Sequence, residues 1–245
     1  MPLTKMGYPL PSVFTYHHMN EHALLINLVN GGENTLLLRF AAAQALKKRY
    51  GNNIVINQGV ASLLALWPAL VITKEQIEEV KQLLENLDVE NIEAGTHWRL
   101  PIFYDKNATD LQTVATQLHL NIDEVITLHE SAIYTVSFIG FLPGFPYLTG
   151  LPESLALPRK AAPVAQVSKG SVAIAAGFCG IYPQASPGGW YVLGNCPVPL
   201  FDKEREQPFF LRSMDTISFH GITEKAWKSA VKENKFTDLN TYKHG

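Results

Sequence analysis

The chain has 245 residues, 47% of them hydrophobic and 17% charged, which supplies core for one or two domains and excludes disorder. A formal net charge of −2, with Lys47-Lys48-Arg49 as its one basic cluster, excludes the footprint of a nucleic-acid-binding protein. The two cysteines, Cys179 and Cys196, lack metal-type spacing and are expected to be free buried thiols. No apolar h-region follows Met1-Pro2-Leu3-Thr4-Lys5, and the apolar run 61–72 is broken by Pro68 and too short to span a bilayer. A soluble, cytoplasmic protein without membrane or nucleic-acid partners is expected.

The first ninety or so residues alternate strand and helix signals. Segments 13–18 and 23–29 read as strands, the second almost continuously apolar. Asn34 is placed to cap a helix running to Tyr50, whose last turn carries the basic triplet and whose end is marked by Gly51. Segments 54–56 and 62–67 read as strands. Thr73 and Gln76 then form a capping-box pair for a helix with an apolar stripe at Ile77, Val80, Leu84 and Leu87. This ββαββα succession predicts a small α+β sandwich with helices on one face of an antiparallel sheet.

The polar stretch 88–95 marks a boundary. Beyond it, 98–104 reads as a strand, and the pairs Thr109/Gln112 and Asn121/Glu124 predict two capped helices. From Tyr134 onward the helical period disappears. Short β-rich runs at 134–141, 171–176, 191–193 and 216–219, separated by proline and glycine, predict a barrel or sandwich.

Two runs concentrate glycine, proline and aromatic residues: Gly140-Phe141-Leu142-Pro143-Gly144-Phe145-Pro146-Tyr147-Leu148, and residues 180–190, which include Tyr182, Ser186-Pro187-Gly188-Gly189 and Trp190. Proline fixes φ and removes a donor, whereas glycine admits close approaches. Both runs are therefore expected to be rigid, site-building loops rather than helices or central strands.

No GxSxG, P-loop, HExxH or Rossmann glycine motif is present in this chain. Gly188-Gly189 fits two roles, presenting N–H groups to an anion or forming a turn that needs positive φ. His129 at a helix end fits a catalytic group, a terminal cation or a satisfied core residue. Arg159, held by Pro158, suits an anion or a surface ion pair. Tyr182 and Trp190 suit pocket walls or packing beneath the loops. His17, His18 and His22 do not form a metal set, because alternate strand residues face opposite sides.

Taken jointly, the motifs from about Leu100 to Lys225 resemble a known family. It contains the B-type subunit of 5-oxoprolinase, the histidine-kinase inhibitor KipI and allophanate hydrolase subunit 1, and it forms subdomains C and D of carboxyltransferase domains, including that of urea carboxylase. The resemblance rests on Val125-Ile126-x-Leu128-His129, Tyr134, the 140–148 run, Gly150-Leu151 and Leu155-x-x-Pro158-Arg159. It continues through Gly170-Ser171-Val172, Gly180-Ile181-Tyr182-Pro183, Ser186-Pro187-Gly188-Gly189-Trp190 and Leu200-Phe201-Asp202. The N-terminal half is similar mainly in the order of its elements.

The resemblance implies an α+β protein with a ferredoxin-like domain at 1–92 and a cyclophilin-like β-barrel domain at 93–245. It implies one component, completed by A-type and C-type partners, of a hetero-oligomeric hydrolase that opens 5-oxo-L-proline to L-glutamate with ATP hydrolysis. A KipI-like kinase inhibitor and a component of urea or allophanate metabolism are the alternatives. On this reading His129, Arg159, Tyr182 and Ser186 are candidate catalytic residues. Gly144, Phe145, Tyr147, Lys169, Gly188, Gly189 and Trp190 are candidate substrate or nucleotide contacts, ATP is a co-substrate at a shared site, and no metal is expected.

The chain departs from the usual pattern at several positions. Pro163-Val164 replaces a second Pro-Arg, Val167-Ser168-Lys169-Gly170 replaces Val-Pro-Ala-Gly, Phe178-Cys179 replaces Gln-Thr, and Gly194-Asn195-Cys196-Pro197 replaces Gly-Arg-Thr-Pro. Two arginines and a glutamine are thereby lost, with Lys169 as one replacement charge.

Overall fold

The computed structural model describes residues 13–29, 34–87, 89, 92, 95–233 and 239–243. The chain divides into two compact units, residues 1–93 and 94–245. Most of the polar stretch 88–95 lies outside the described residues.

In the first unit, β1 (Phe14–Asn20) and β2 (Ala23–Leu28) form a hairpin, followed by α1 (Thr35–Tyr50). A second hairpin, β3 (Val55–Gln58) and β4 (Ser62–Leu66), leads into α2 (Lys74–Glu85). The antiparallel sheet has the order β1-β2-β4-β3. That is a ferredoxin-like sandwich whose last strand has moved to the front of the chain. Leu24, Ile26, Leu63 and Ala65 of the sheet pack against Ala42, Leu46, Val80 and Leu84 of the helices. The expected capping box of α2 forms, with Gln76 N–H donating to Thr73 Oγ1 at 3.3 Å and Thr73 N–H donating to Gln76 Oε1 at 3.0 Å. Asn34 stands at the N-cap of α1, but its side chain makes no capping bond. Its φ of −86° and ψ of −1° are helical, whereas a capping side chain needs extended backbone to reach N2 or N3.

The second unit begins with β5 (His97–Ile102), α3 (Thr109–Gln117) and α4 (Ile122–Ser131). The strands β6 (Tyr134–Ile139), β7 (Pro146–Thr149), β8 (Val164–Val167), β9 (Ser171–Ala175) and β10 (Phe178–Ile181) follow. Then come β11 (Ser186–Gly188), β12 (Tyr191–Asn195), β13 (Thr216–Gly221) and α5 (Glu224–Glu233). Seven strands form one sheet in the order β12-β9-β10-β7-β6-β13-β5, while β8 and β11 pair as a separate ribbon. The β13–β5 pairing is parallel. Just beyond β5, Phe103 N–H donates to Asn195 O at 2.9 Å and Asn195 N–H to Phe103 O at 2.8 Å. This pair joins the two edges of the sheet and makes it a barrel.

The second unit departs from the sequence pattern at several points. Residues 146–148, expected in a loop, begin β7, a central strand between β10 and β6. Pro146 is tolerated because it stands at the first residue of the strand. Asn121 and Glu124 cap α4 as expected, through bonds of 2.9 and 2.7 Å. Thr109 does not cap α3; the N-cap is Ala108, so Thr109 is already inside the helix. The helix α5 was missed, although Thr223 Oγ1 accepts from Ala226 N–H at its start and Ala230 is buried.

Alternation along β9 and β10 gives the barrel wall two packed faces. Val172, Ile174, Cys179 and Ile181 point into the main core. Ala173, Ala175 and Phe178 point outward against a layer of Phe145, Tyr147, Tyr182 and Trp190. Gly180 shares the outward face: a Cβ there would lie 2.7 Å from Phe145 Cζ and 3.0 Å from Trp190 Cζ3. Only a residue without a side chain lets those rings approach the strand.

His129 of α4 lies in the inner core with no exposed surface. Tyr104 Oη is 2.8 Å from its Nδ1, Cys179 Sγ is 3.6 Å from its Nε2, and Phe219 stacks on it at 4.9 Å. Burial lowers its pKa from 6.5 to about 3, so it is neutral in the folded chain. The unfolded chain binds the extra proton below the ordinary value. Stability therefore falls as pH drops through 6.5 and continues to fall towards about 3. Urea midpoints should fall more steeply for the native chain than for His129→Gln below pH ~6.5, the slopes differing by up to about 1.4 kcal/mol per pH unit. Equal slopes would contradict a buried neutral imidazole. A second expectation concerns the outer layer. Gly180→Ala should cost about 1–3 kcal/mol in urea unfolding and change the tryptophan fluorescence, because the added methyl overpacks Phe145 and Trp190.

Candidate functional site

The first glycine-proline run builds a tight turn after β6. Leu142 N–H donates to Gly140 O at 2.7 Å across Phe141, whose φ is +66°. That closes a γ-turn around a non-glycine residue, a costly backbone shape. Phe141 is thrown outward, 62% exposed, while Phe145 returns into the outer layer at 1%. The Phe145 ring is the hub of that layer. It makes edge contacts with Tyr147 at 5.0 Å, Tyr182 at 5.1 Å and Trp190 at 5.7 Å, the arrangement aromatic quadrupoles favour.

The second run closes over the same rings. Gly188 of β11 faces Tyr182, and a Cβ on it would lie 2.4 Å from Tyr182 Oη. Neither Gly188 nor Gly189 has positive φ. The expectation of a turn requiring positive φ is thus overturned, and close approach to a phenol explains Gly188 instead. Gly189 O accepts from Lys160 N–H at 2.8 Å, which fastens the Pro158-Arg159-Lys160 strap beside the run. Ser186 is buried in β11, and its hydroxyl donates locally to Pro187 O at 3.2 Å.

The adjacent cations of the strap have different fates. Lys160 Nζ pairs with Asp110 Oδ2 at 2.7 Å, and that oxygen also accepts Val192 N–H at 2.9 Å. Arg159 is exposed, and among the described residues its guanidinium has no hydrogen bond or ion pair. Arg159 thus does not form the surface ion pair that was one of its two expected roles, whereas Lys160 makes a largely buried pair with Asp110. Burial raises the pKa values of Tyr147 and Tyr182, and the positive charge of Arg159 lowers both. The two hydroxyls also lack hydrogen-bond partners among the described residues, although Tyr182 is only 2% exposed. A guanidinium and two phenols, each able to donate, thus lie close enough to influence one another electrostatically. Chemically this suits an anion.

Other expected site residues sit elsewhere or serve other ends. His129 lies inside the barrel, across the β10 wall from the outer layer. Lys169 is exposed in the β8–β9 turn, where its carbonyl accepts from Asn195 Nδ2 at 2.8 Å. Asn195 Oδ1 accepts from Trp227 Nε1 at 2.8 Å, so this side chain braces the barrel closure. Phe178 meets Tyr147 edge-on at 5.9 Å and widens the aromatic layer. Val164 is 40% exposed and pairs with Gly188 across the ribbon. Gly144, with φ of +78°, returns the first run towards Phe145. Asp110 was missed; its only sequence signal was an acidic residue in a helix's first turn. Among the described residues no group of three or more His, Cys, Asp or Glu is placed to hold a metal ion. Among them, too, no helix is long and apolar enough to cross a membrane.

Known proteins are similar to this chain in sequence and fold. A B-type subunit of 5-oxoprolinase from Haemophilus influenzae is 40% identical over 162 residues, 66% of this chain and 76% of that protein. Another relative with the same name, from Escherichia coli O157:H7, is 44% identical over 121 residues, 49% of this chain and 56% of that protein. Among solved structures, TTHA0988 superposes with a TM-score of 0.70 at 30% identity, over 82% of this chain and 40% of its own. The urea carboxylase of Kluyveromyces lactis shares the fold, with a TM-score of 0.70 at 17% identity, over 90% of this chain and 23% of its own. The family model for the carboxyltransferase domain, subdomain C and D, matches residues 14–211 and so takes in most of both units. The chain belongs to that family.

Proposed function

We propose that this chain is one component of an ATP-dependent 5-oxoprolinase, opening 5-oxo-L-proline to L-glutamate with A-type and C-type partner subunits. The name of the Haemophilus influenzae relative supports the assignment. The observation that carries it is the unpaired Arg159 beside the Tyr147 and Tyr182 phenols. A lactam carbonyl is a poor electrophile. Transfer of the ATP γ-phosphoryl group to its oxygen activates the carbon. A first water adds there, and the ring C–N bond breaks with protonation of the departing amine to leave an acyl phosphate. A second water hydrolyses that phosphate to give L-glutamate. Each stage carries anionic oxygens, which fixed donors stabilise.

In this reading Arg159 holds an anion, Tyr182 and Trp190 wall the site, and the Gly188-Gly189 segment brings backbone close to the ligand. The donor cluster opens at the surface, and the chain carries no P-loop. Both features suit a site completed by a partner that supplies the nucleotide contacts.

Reconstitution with A-type and C-type subunits tests this. The native complex should hydrolyse ATP in response to 5-oxo-L-proline, and Arg159→Ala should lower that rate by about 10²-fold. An unchanged rate would remove Arg159 from the site. No response of the native complex to 5-oxo-L-proline would refute the function.

A further inference from the structure

The unpaired donors also indicate which part of such a reaction the chain holds. Tyr182 is almost wholly buried, yet its hydroxyl has no hydrogen-bond partner among the described residues. That oxygen is not among the buried unpartnered polar atoms, so it reaches the surface and is free to donate to a ligand acceptor. Its location is set by packing: the ring is held edge-on by Phe145 and its oxygen is pressed against Gly188. Tyr147 shares the Phe145 hub, and Phe138 stacks on it at 4.3 Å, so neither phenol can swing away freely. Arg159 lies in the strap fastened to Gly189, next to Gly188.

Charge then restricts the ligand. Lys160 is already neutralised by Asp110, which leaves the strap with one uncompensated positive charge. One guanidinium balances one carboxylate and can grip it in bidentate fashion. A nucleoside triphosphate carries several negative charges and travels with a divalent cation that needs oxygen ligands. The neighbouring surface is apolar, with Tyr147 and Phe178 both partly exposed.

We propose that Arg159, Tyr147 and Tyr182 form a cradle for the carboxylate of a small ring-bearing monocarboxylic acid, with Tyr147 and Phe178 against its ring. This rests on the 5-oxoprolinase reading only for the identity of the acid, 5-oxo-L-proline. The nucleotide is held outside this chain. Gripping the carboxylate leaves the lactam carbonyl on the open side, where a partner-bound phosphate would approach. Tyr182 is then a hydrogen-bond donor as well as a wall.

Calorimetric titration of the full chain tests the cradle with 5-oxo-L-proline, 2-pyrrolidinone (the same lactam without the carboxylate) and ATP with magnesium. 5-Oxo-L-proline should bind saturably, 2-pyrrolidinone at least about tenfold more weakly, and ATP should neither bind nor displace it. Arg159→Ala and the double variant Tyr147→Phe/Tyr182→Phe should each weaken binding about tenfold without moving the thermal midpoint, while Arg159→Lys restores part of the loss. Displacement by ATP, equal binding of 2-pyrrolidinone, indifference to the substitutions, or no saturable binding of 5-oxo-L-proline, benzoate or L-pipecolate would each overturn the cradle. The two readings fail separately. Arg159-dependent binding of benzoate or L-pipecolate, with no 5-oxo-L-proline-driven ATP hydrolysis by the complex, keeps the cradle and removes the 5-oxoprolinase assignment. ATP displacement with coupled activity intact removes the cradle alone.

Discussion

Two hydrogen bonds between Phe103 and Asn195 turn a seven-stranded sheet into a barrel, and the arrangement of the second unit follows from that closure. A closed wall has an inside and an outside, and strand periodicity distributes residues between them. Large aliphatic side chains go in; Ala173, Ala175 and Gly180 go out. Those small residues leave a shallow bed on the outer wall, and the Phe145 hub settles into it. The two glycine-proline-aromatic runs converge because the strands that carry them are neighbours in the barrel, although some thirty residues separate them in the chain.

Charge is organised by the same scaffold. Two consecutive cations in the strap would repel if both faced one place. Pairing Lys160 with Asp110 of α3 removes one charge and anchors the backbone, leaving Arg159 as the uncompensated charge whose field reaches the phenols. The Tyr147 and Tyr182 rings, held by packing against Phe145, lose little entropy when a ligand arrives, which is the physical meaning of preorganisation.

Much of the fold was legible where the governing interactions are local. The capping boxes at Thr73 and Asn121 form between residues three apart, and spacing reveals them. Asn34 and Thr109 had suitable chemistry but unsuitable backbone or register, which residue type does not encode. Strand β7 was hidden because Pro146 argues against a central strand until its place at the strand start is known. The aromatic and glycine residues of the candidate site were legible as a composition. Their reasons were not: Gly188 answers to a phenol six residues away, and Asp110 to a lysine fifty residues away. The open alternatives for His129 were separated by tertiary packing, since Tyr104 and Cys179 meet its ring inside the barrel.

The closing pair has a mechanical corollary. The β5–β13 ladder runs the length of both strands, whereas the seam at Phe103 and Asn195 is a single pair braced by the Asn195 side chain to Trp227. The wall should therefore part along this line at a lower free energy than global unfolding requires. Cys196, the next residue, is 1% exposed, and burial pushes its thiol up to about 12, which keeps it unreactive while the wall is shut. The rate at which a thiol reagent reaches that sulfur is thus a native clock for barrel breathing, installed beside the hinge itself.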